Sequence, residues 1–239
     1  MESSEVPHRR LPRPACFVKV RVIAAGSASN GIRTASRFCL DSLKPSRAME
    51  NAKYLPACGF HFLTPFYDSF VRIFLPEAKI RGRFIELAKI AENERVLDIG
   101  CGTGTLAIMI KKAHPTATVV GIDPDPRILK IAARKSRKTG LPVTFDHGFA
   151  FQLPYPDNSF HHVLSTFVFH HLTVANKRRA LQEAFRILHP QGGLLIADFT
   201  KPNKNLAAMV ADADFKKTQE LFFFKTMFGA MSVWDAQRP

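Results

Sequence analysis

Residues 96–104 constrain the fold of this chain more than any other segment. They read VLDIGCGTG, an apolar run that ends in three closely spaced glycines, and the helix-forming residues 105–112 follow directly. This order predicts a buried strand, then a tight turn in which missing side chains let backbone N–H groups approach a ligand. The helix that follows presents the positive end of its dipole to the same turn. The segment therefore predicts a binding site for a nucleotide-like ligand at the carboxyl end of a strand.

Downstream of residue 95, short apolar runs alternate with amphipathic helical stretches, which is typical of a parallel sheet built from βαβ units. Asp125 and Pro126 predict the start of one helix, with Ile128, Ile131 and Ala132 facing the core. We therefore expect an α/β fold, a Rossmann-like and mostly parallel sheet with helices on both faces, an antiparallel C-terminal strand and a helical N-terminal lid. The predicted strands are residues 96–99, 117–122, 143–145, 162–169 and 193–199, with a short helix near 206–211 and a strand pair ending near 234.

Composition divides the chain into three segments. Residues 1–48 are rich in Arg, Ser, Pro and Ala and are interpreted as a basic, disordered extension, as sequence upstream of a start at Met49, or as a mitochondrial transit peptide. Residues 49–92 are predicted to form a helical lid, and residues 93–239 the binding domain. No apolar stretch approaches the roughly 20 residues of a membrane span. A cytoplasmic location is expected, with a mitochondrial one as the alternative.

Cysteine usage and charge limit the other classes of function. The 4 cysteines are scattered without a CxxC pair, which argues against a zinc site and a disulfide framework and favours a reducing compartment. The net charge is +14, so a nucleic-acid partner has to be considered. The excess is spread along the chain, and we interpret its main cluster as a solvated helix face. That cluster is Lys130, Arg134, Lys135, Arg137 and Lys138.

Two acids identify the ligand more closely. Asp123 follows the second predicted strand, where a carboxylate can accept both hydroxyls of a ribose. Asp98 lies two residues before the first glycine, a position that is awkward beside a pyrophosphate and suitable beside an amino group. The glycines at 100, 102 and 104 also depart from the GxGxxG fingerprint of dinucleotide sites. A ligand with a ribose and an amino-acid tail fits this pattern better than NAD.

At this point the sequence resembles the class I S-adenosylmethionine-dependent methyltransferases, and in particular the small-molecule branch of ubiquinone and menaquinone biosynthesis. Besides residues 96–104, the resemblance rests on LPYPDNSF at 153–160, HHL at 170–172 and RILHPQGG at 186–193. It covers roughly residues 67–200. The resemblance implies S-adenosylmethionine as the methyl donor and a small, apolar or aromatic acceptor that is methylated at oxygen or carbon.

The resemblance also implies roles for individual residues. The methionine end of the donor would lie along the glycine turn, with Asp98 holding its amino group and Asp123 its ribose. Pro124, with Ile122, would flank the adenine. The turn residues that would line the donor are Gly100, Cys101, Gly102, Thr103 and Gly104.

Two positions depart from the family pattern. The family usually has an acid that bonds the adenine after the third strand, and this chain has Phe149 there. We expect Phe149 to cover the adenine by its ring instead. The segment after Thr200 is also short, as though most of a helix that walls the acceptor pocket were missing.

The acceptor end is less constrained. His170 and His171 follow the fourth predicted strand, and they are the candidate general bases because histidine titrates near neutral pH. The aromatic run within residues 59–76 would suit an apolar acceptor or ordinary core packing. Two alternatives stay open from sequence: a non-catalytic module with this fold and an RNA methyltransferase.

Overall fold

The computed structural model describes residues 77–201, 205–226 and 229–239, without the side chains of 77–79 and 222–226. The expectations for residues 1–48, for the first part of the lid segment (49–76) and for the aromatic run at 59–76 lie outside these residues. In chain order the described elements are α1 (Glu77–Ala88), β1 (Arg95–Ile99), α2 (Thr105–Ala113), β2 (Thr118–Asp123), α3 (Pro126–Thr139), β3 (Thr144–His147), β4 (Phe160–Thr166), a 3₁₀ helix (Phe169–His171), α4 (Val174–Ile187), β5 (Leu188–Phe199), α5 (Leu206–Asp212), β6 (Lys216–Thr226) and β7 (Gly229–Gln237).

The strands form a 7-stranded sheet in the order β3-β2-β1-β4-β5-β7-β6. Strands β1 to β5 are parallel, and β7 runs antiparallel to both β5 and β6. The strand order reverses beside β1, which is where open parallel sheets bind ligands at their carboxyl edge. The predicted Rossmann-like α/β fold with an antiparallel end is therefore confirmed.

Apolar side chains alternate between the two faces of the sheet, and each face packs on helices. In β1, Val96 belongs to the core cluster beneath α1 and α2, whereas Leu97 belongs to the cluster beneath α4 and α5. Phe84 of α1 and Leu181 of α4 are fully buried on these two opposite sides. Both faces are thus covered, as expected for a parallel sheet.

Helix α3 follows its predicted signals closely. The Asp125 carboxylate accepts a hydrogen bond from the Arg127 N–H at 2.8 Å and caps the helix. Ile128 and Ala132 are buried as expected, but the prediction for Ile131 is wrong. Its side chain is partly exposed, and Leu129 is buried instead.

The fourth strand is shorter than predicted. It ends at Thr166 rather than at residue 169, and residues 169–171 form the 3₁₀ helix. The reason is Phe167, whose φ of 61° lies in the left-handed region, where a strand cannot continue. The Phe167 N–H still donates to the Ala197 carbonyl at 2.9 Å, so the chain leaves the sheet immediately after this residue.

The fifth strand begins earlier than predicted, at Leu188 instead of residue 193. Leu188 pairs with Phe160, and the ladder resumes only where Gly193 pairs with His162. The residues between them bulge out of register, and Gln191 there has a φ of 70°. Helix α4 ends at Ile187, directly before this strand.

The C-terminal predictions are confirmed in outline, because α5 covers the expected short helix and β6 and β7 form the expected strand pair. In the described part of the chain, no helix combines the length and apolar character needed to cross a bilayer.

Candidate functional site

The glycine turn between β1 and α2 is held by backbone hydrogen bonds to β2. The N–H groups of Gly100 and Cys101 both donate to the Ile122 carbonyl, at 2.8 and 3.0 Å, and the Gly104 N–H donates to the Cys101 carbonyl at 2.9 Å. The three glycines have φ values of 66°, 53° and 75°, which side-chain-bearing residues rarely adopt. The turn is therefore fixed against the neighbouring strand rather than free to move.

Two of these glycines serve different purposes. A β-carbon at Gly100 would collide with the side chain of Val168, so this glycine permits close packing with the chain that follows β4. A β-carbon at Gly102 would meet nothing within 4 Å. The open side of Gly102 is thus space that a ligand can occupy against bare backbone.

Asp123 points at this turn from the end of β2. Its Oδ2 accepts the Gly102 N–H at 3.0 Å and its Oδ1 accepts the Asp125 N–H at 2.9 Å. Burial raises the pKa of Asp123, while these two backbone donors oppose the shift. Each carboxylate oxygen keeps a second lone pair for a ligand hydroxyl. The predicted ribose acid therefore lies beside the turn.

Asp98, in β1, is the most unusual group of the site. Its side chain is 1 % exposed, and neither carboxylate oxygen meets a donor in hydrogen-bonding geometry among the described residues. Burial raises the pKa of Asp98 to about 7, against the lowering effect of the Arg81 guanidinium in α1. A buried carboxylate whose oxygens accept no well-formed hydrogen bond is costly, even with the Arg81 guanidinium nearby. It fits a ligand that brings an amino group.

Cys101 and Thr103 complete the turn and are both buried. Burial raises the pKa of the Cys101 thiol well above its usual range, and the nearby Asp98 and Asp123 add to the shift. The thiol is therefore neutral at physiological pH. The Thr103 hydroxyl lies 3.4 Å from that of Thr105, which also accepts a 2.6 Å hydrogen bond from the Lys135 ammonium. We call residues 98 and 100–104, together with Asp123, the glycine crevice.

Phe149 lies on a loop that is tied to the end of β2. The Gly148 N–H donates to the Asp123 carbonyl at 3.2 Å, and His147 Nε2 lies 3.0 Å from the Pro124 carbonyl. The Phe149 ring is half-buried and stacks on Phe151 at 5.2 Å between centroids. Pro124 and Phe149 are thus brought to the same margin of the glycine crevice.

Asp146, the nearest acid to Phe149 on its N-terminal side, is engaged elsewhere. It accepts the Tyr155 hydroxyl at 2.9 Å.

The two predicted histidines lie at the carboxyl end of β4, in the 3₁₀ helix. Their rings are 3.9 Å apart between centroids, and the Phe199 ring, from the end of β5, meets His170 edge-on at 5.2 Å. Phe167 packs on Phe199 at 5.8 Å. We call Phe167, His170, His171 and Phe199 the histidine wall. A bulky residue with positive φ is a strained position, and such strain concentrates at functional sites.

Asp198, next to Phe199 in β5, is a site residue that the sequence reasoning missed. It is fully buried, and its Oδ1 lies 2.7 Å from His170 Nδ1. It also accepts the backbone N–H groups of His170 at 3.1 Å and of Phe199 at 2.6 Å. An acid at the carboxyl end of a strand next to β4 was the available signal. Arg81 was missed as well, because it precedes the motif on a helix.

The glycine crevice and the histidine wall adjoin through Val168. This residue packs against Gly100 on one side, and the 3₁₀ helix with both histidines begins at the next residue. A ligand in the crevice and a second one at the wall would therefore lie next to each other. The arrangement suits group transfer between two bound molecules, with a histidine available to move a proton.

Comparisons with known proteins agree with this geometry. A family model described as a methyltransferase domain matches residues 96–192. A demethylmenaquinone methyltransferase of Thermus thermophilus is 37% identical over 160 residues, covering 66% of this chain and 72% of that protein. One of Listeria welshimeri is 32% identical over 167 residues, covering 68% and 70%.

A solved structure shares the fold. The crystal structure of a SAM-dependent methyltransferase from Aquifex aeolicus superposes with a TM-score of 0.57 at 23% identity, covering 72% of this chain and 93% of that one. At this identity the likeness shows the fold alone, and the sequence relatives carry the family.

Proposed function

The chain belongs to the class I S-adenosylmethionine-dependent methyltransferases of the quinone-biosynthesis type, and from that membership we propose that it methylates a ring carbon of a demethylated quinol. The enzyme class and the methyl donor follow from the family. The acceptor, the methylated atom and the residue roles are the proposal. It is supported most by the contact of Val168 with Gly100, which sets a donor crevice directly beside an aromatic wall with two histidines.

The glycine crevice supplies a partner for each part of the donor. S-adenosylmethionine brings a methyl group that is activated by a positively charged sulfur. Asp98, whose buried oxygens accept no well-formed hydrogen bond among the described residues, would hold its amino group. Asp123 would hold the ribose hydroxyls through its remaining lone pairs, and the open side of Gly102 would admit the amino-acid tail.

The adenine would lie between Pro124 and the ring of Phe149. The family's usual acid at residue 149 would add one hydrogen bond, which is worth about 1 kcal/mol net. Stacking on Phe149, which is itself supported by Phe151, would replace that bond by aromatic contact.

The name of the relatives, demethylmenaquinone methyltransferase, supports a quinone-type acceptor. The ring carbon of an oxidised quinone is electrophilic and cannot attack a methyl cation equivalent. In the reduced quinol, loss of a hydroxyl proton places negative charge on the neighbouring ring carbon, which then attacks. The acceptor is therefore the quinol, and its apolar rings suit the rings of Phe167 and Phe199.

The protein contributes positioning and one proton transfer. Methyl transfer is an in-line displacement, so holding donor and acceptor in contact accounts for most of the acceleration. His170 or His171 takes the hydroxyl proton as the ring carbon attacks. Burial lowers the pKa of His171, and the neighbouring His170 lowers it further. His171 is therefore neutral and able to accept a proton over most of the physiological range.

The test is an assay of the full chain with S-adenosylmethionine and demethylmenaquinone that is kept reduced by dithionite. The expected product is heavier by one CH₂ unit and carries the new methyl group on the ring carbon, as mass spectrometry and NMR would show. The oxidised quinone should remain unmethylated in a parallel reaction. Methylation of an oxygen, or of neither form, would contradict the proposal.

Location and partners extend the same proposal. A small-molecule acceptor needs no nucleic acid, and the exposed cations of α3 are assigned to a solvated face, whereas Lys135 is partly buried and binds Thr105. The exposed cations are Lys130, Arg134, Arg137 and Lys138. The protein is proposed to act in the cytoplasm, with mitochondria as the alternative if residues 1–48 direct import. A fluorescent fusion of residues 1–48 separates these outcomes, because only a transit peptide would carry the reporter into mitochondria.

A further inference from the structure

The His170–Asp198 pair joins the ends of two neighbouring strands. His170 Nδ1 and Asp198 Oδ1 are 2.7 Å apart, and the His170 backbone N–H donates to Asp198 Oδ2 at 3.1 Å. Both oxygens of one carboxylate thus bind the same residue, one through the ring and one through the main chain. Ring and backbone are fixed together, which leaves His170 little rotational freedom.

Burial makes this pair stronger than a surface contact. Asp198 is 0 % exposed and the His170 side chain is 20% exposed. Asp198 also accepts the Phe199 N–H at 2.6 Å, so its carboxylate holds two backbone donors in addition to the imidazole. An ionised Asp198 can accept a hydrogen bond and cannot donate one. The proton between the two groups therefore belongs to His170 Nδ1.

We infer that Asp198 is a positioning residue that fixes His170 in the Nδ1–H tautomer and so makes Nε2 of His170 the atom that takes the quinol proton. A neutral imidazole carries one proton, and a partner that holds it on Nδ1 leaves the lone pair of Nε2 available. The inference rests on the proposed function, which left the choice between His170 and His171 open. It selects His170 and adds an acid that the mechanism had not used.

Titratable groups face the pair from its own 3₁₀ helix and from α4. His171, in the same 3₁₀ helix, stacks on His170 at 3.9 Å. Lys177, in α4, is buried near Asp198; burial lowers its pKa and the Asp198 carboxylate partly restores it. Asp198 thus lies between an imidazole and an ammonium group. The Asp198 carboxylate therefore faces positive charge on both sides once His170 has accepted a proton.

The proton and electron balance closes without a further reactant. His170 Nε2 takes the hydroxyl proton, and the electron pair of that O–H bond moves through the ring to the carbon that attacks the methyl group. The carbon–sulfur bond breaks and its electrons return to sulfur. The methylated carbon then loses its own hydrogen as a proton, which restores the aromatic ring. The His170 imidazolium returns its proton to the ring oxygen and so re-forms the hydroxyl. The net release is one proton.

The test compares the pH dependence of kcat for the wild type and for Asp198→Asn, with S-adenosylmethionine and the dithionite-reduced quinol. We expect Asp198→Asn to lower kcat about tenfold to 100-fold, because an amide also permits the wrong tautomer. We also expect the acid limb of the profile to move to lower pH, since the imidazolium loses its counter-charge. The KM for S-adenosylmethionine should stay unchanged. An unmoved acid limb would overturn the inference.

Asp212→Asn is the matched control, because Asp212 pairs with Arg178 on an exposed surface and the same acid-to-amide change there should leave the profile in place. If the quinol is not methylated by the wild type, the proposed function fails. If the wild type is active and only the expected shift is missing, the inference alone fails.

A spectroscopic measurement on the wild type covers the case in which Asp198→Asn does not fold. Nitrogen NMR of the full chain with labelled histidine reports which ring nitrogen carries the proton, and His170→Gln assigns the signal. We expect neutral His170 to be protonated at Nδ1. Protonation at Nε2 instead would overturn the inference.

Discussion

The glycine crevice and the histidine wall adjoin, but they are built from different parts of the chain. The crevice consists mostly of backbone from one short segment, residues 98–104, with a single acid from the next strand. The wall consists of side chains from two strand ends that are brought together by the sheet, with His170 and Asp198 28 residues apart in sequence. A backbone turn of this shape requires glycine at fixed positions, whereas each side chain of the wall can be substituted on its own. Substitutions in the wall are therefore expected to leave the glycine turn intact.

The largest expected effect comes from removing the acid of the crevice. Asp123→Ala should weaken binding of S-adenosylmethionine about 100-fold or more, because hydrogen bonds to a charged group contribute about 1.5–3 kcal/mol each and two hydroxyls are involved. Calorimetry on the purified chain measures the change. Asp125→Ala is the control: it removes the α3 cap, costs about 1 kcal/mol of stability and should keep the affinity. Equal affinity of Asp123→Ala and wild type would contradict the proposed contact between Asp123 and the ribose.

The second prediction concerns pH. The pKa of Asp98 is raised to about 7 by burial, and its ionised form is the one that binds an amino group. Affinity for the donor should therefore fall about tenfold for each pH unit below about 7, and Asp98→Asn should make it weak and independent of pH. A steep dependence that survives in Asp98→Asn would have to come from another group.

The same shift has a consequence for the stability of the ligand-free protein. An acid whose pKa is higher in the folded state holds its proton more tightly there, so its contribution is present at low pH. It is lost as pH rises from 3.8, the ordinary pKa of an aspartate, through about 7. Over this window the free energy of unfolding should fall in the wild type relative to Asp98→Asn. Denaturant titrations at several pH values measure this free energy. If it depended on pH in the same way in the wild type and in Asp98→Asn, the raised pKa of Asp98 would be contradicted.

A smaller effect is expected at the wall. Phe199→Ala removes the ring that meets both His170 and Phe167, and should raise the KM for the quinol about fivefold, since an aromatic contact contributes about 0.5–1.5 kcal/mol. The affinity for S-adenosylmethionine should not change. Phe185→Ala, which removes a ring packed on Phe215, is the control and should cost stability while leaving the KM alone. A loss of donor affinity in Phe199→Ala would show that crevice and wall are not separable.

The smallest effect is expected on α3. Reversing the charges of Arg134, Arg137 and Lys138, which are all exposed, should leave quinol methylation unchanged and shift the free energy of unfolding by within about 0.5 kcal/mol per residue. Methylation of total RNA by the wild type that disappears in this variant would instead favour a nucleic-acid acceptor.

The sequence predicts the crevice well because its signals are local. The strand, the glycines and the helix follow one another within residues 96–112, and the Asp123 position follows from a single βαβ unit. Backbone geometry of this kind depends on glycine spacing that can be read directly. The structure places Asp98, the glycine turn and Asp123 together as expected.

Only part of the histidine wall could be predicted from the sequence, and the reason is physical. His170 and His171 belong to a recognisable block, but Asp198 becomes relevant only when β5 lies next to β4 in register. The left-handed backbone of Phe167 is equally invisible in sequence, because phenylalanine is not a residue that predicts it. Because of this one dihedral angle, β4 ends three residues earlier than predicted and the two histidines lie in a 3₁₀ helix.

The missing β-carbon of Gly100 has a consequence for anyone who wishes to redesign the acceptor preference. Val168 occupies the volume that a side chain at residue 100 would fill, so one valine lies between the glycine crevice and the histidine wall. A larger residue at 168 would press on the donor turn, and a smaller one would open a void beneath it. Engineering of the acceptor pocket should therefore begin at Phe167 and Phe199 and treat Val168 as part of the donor compartment.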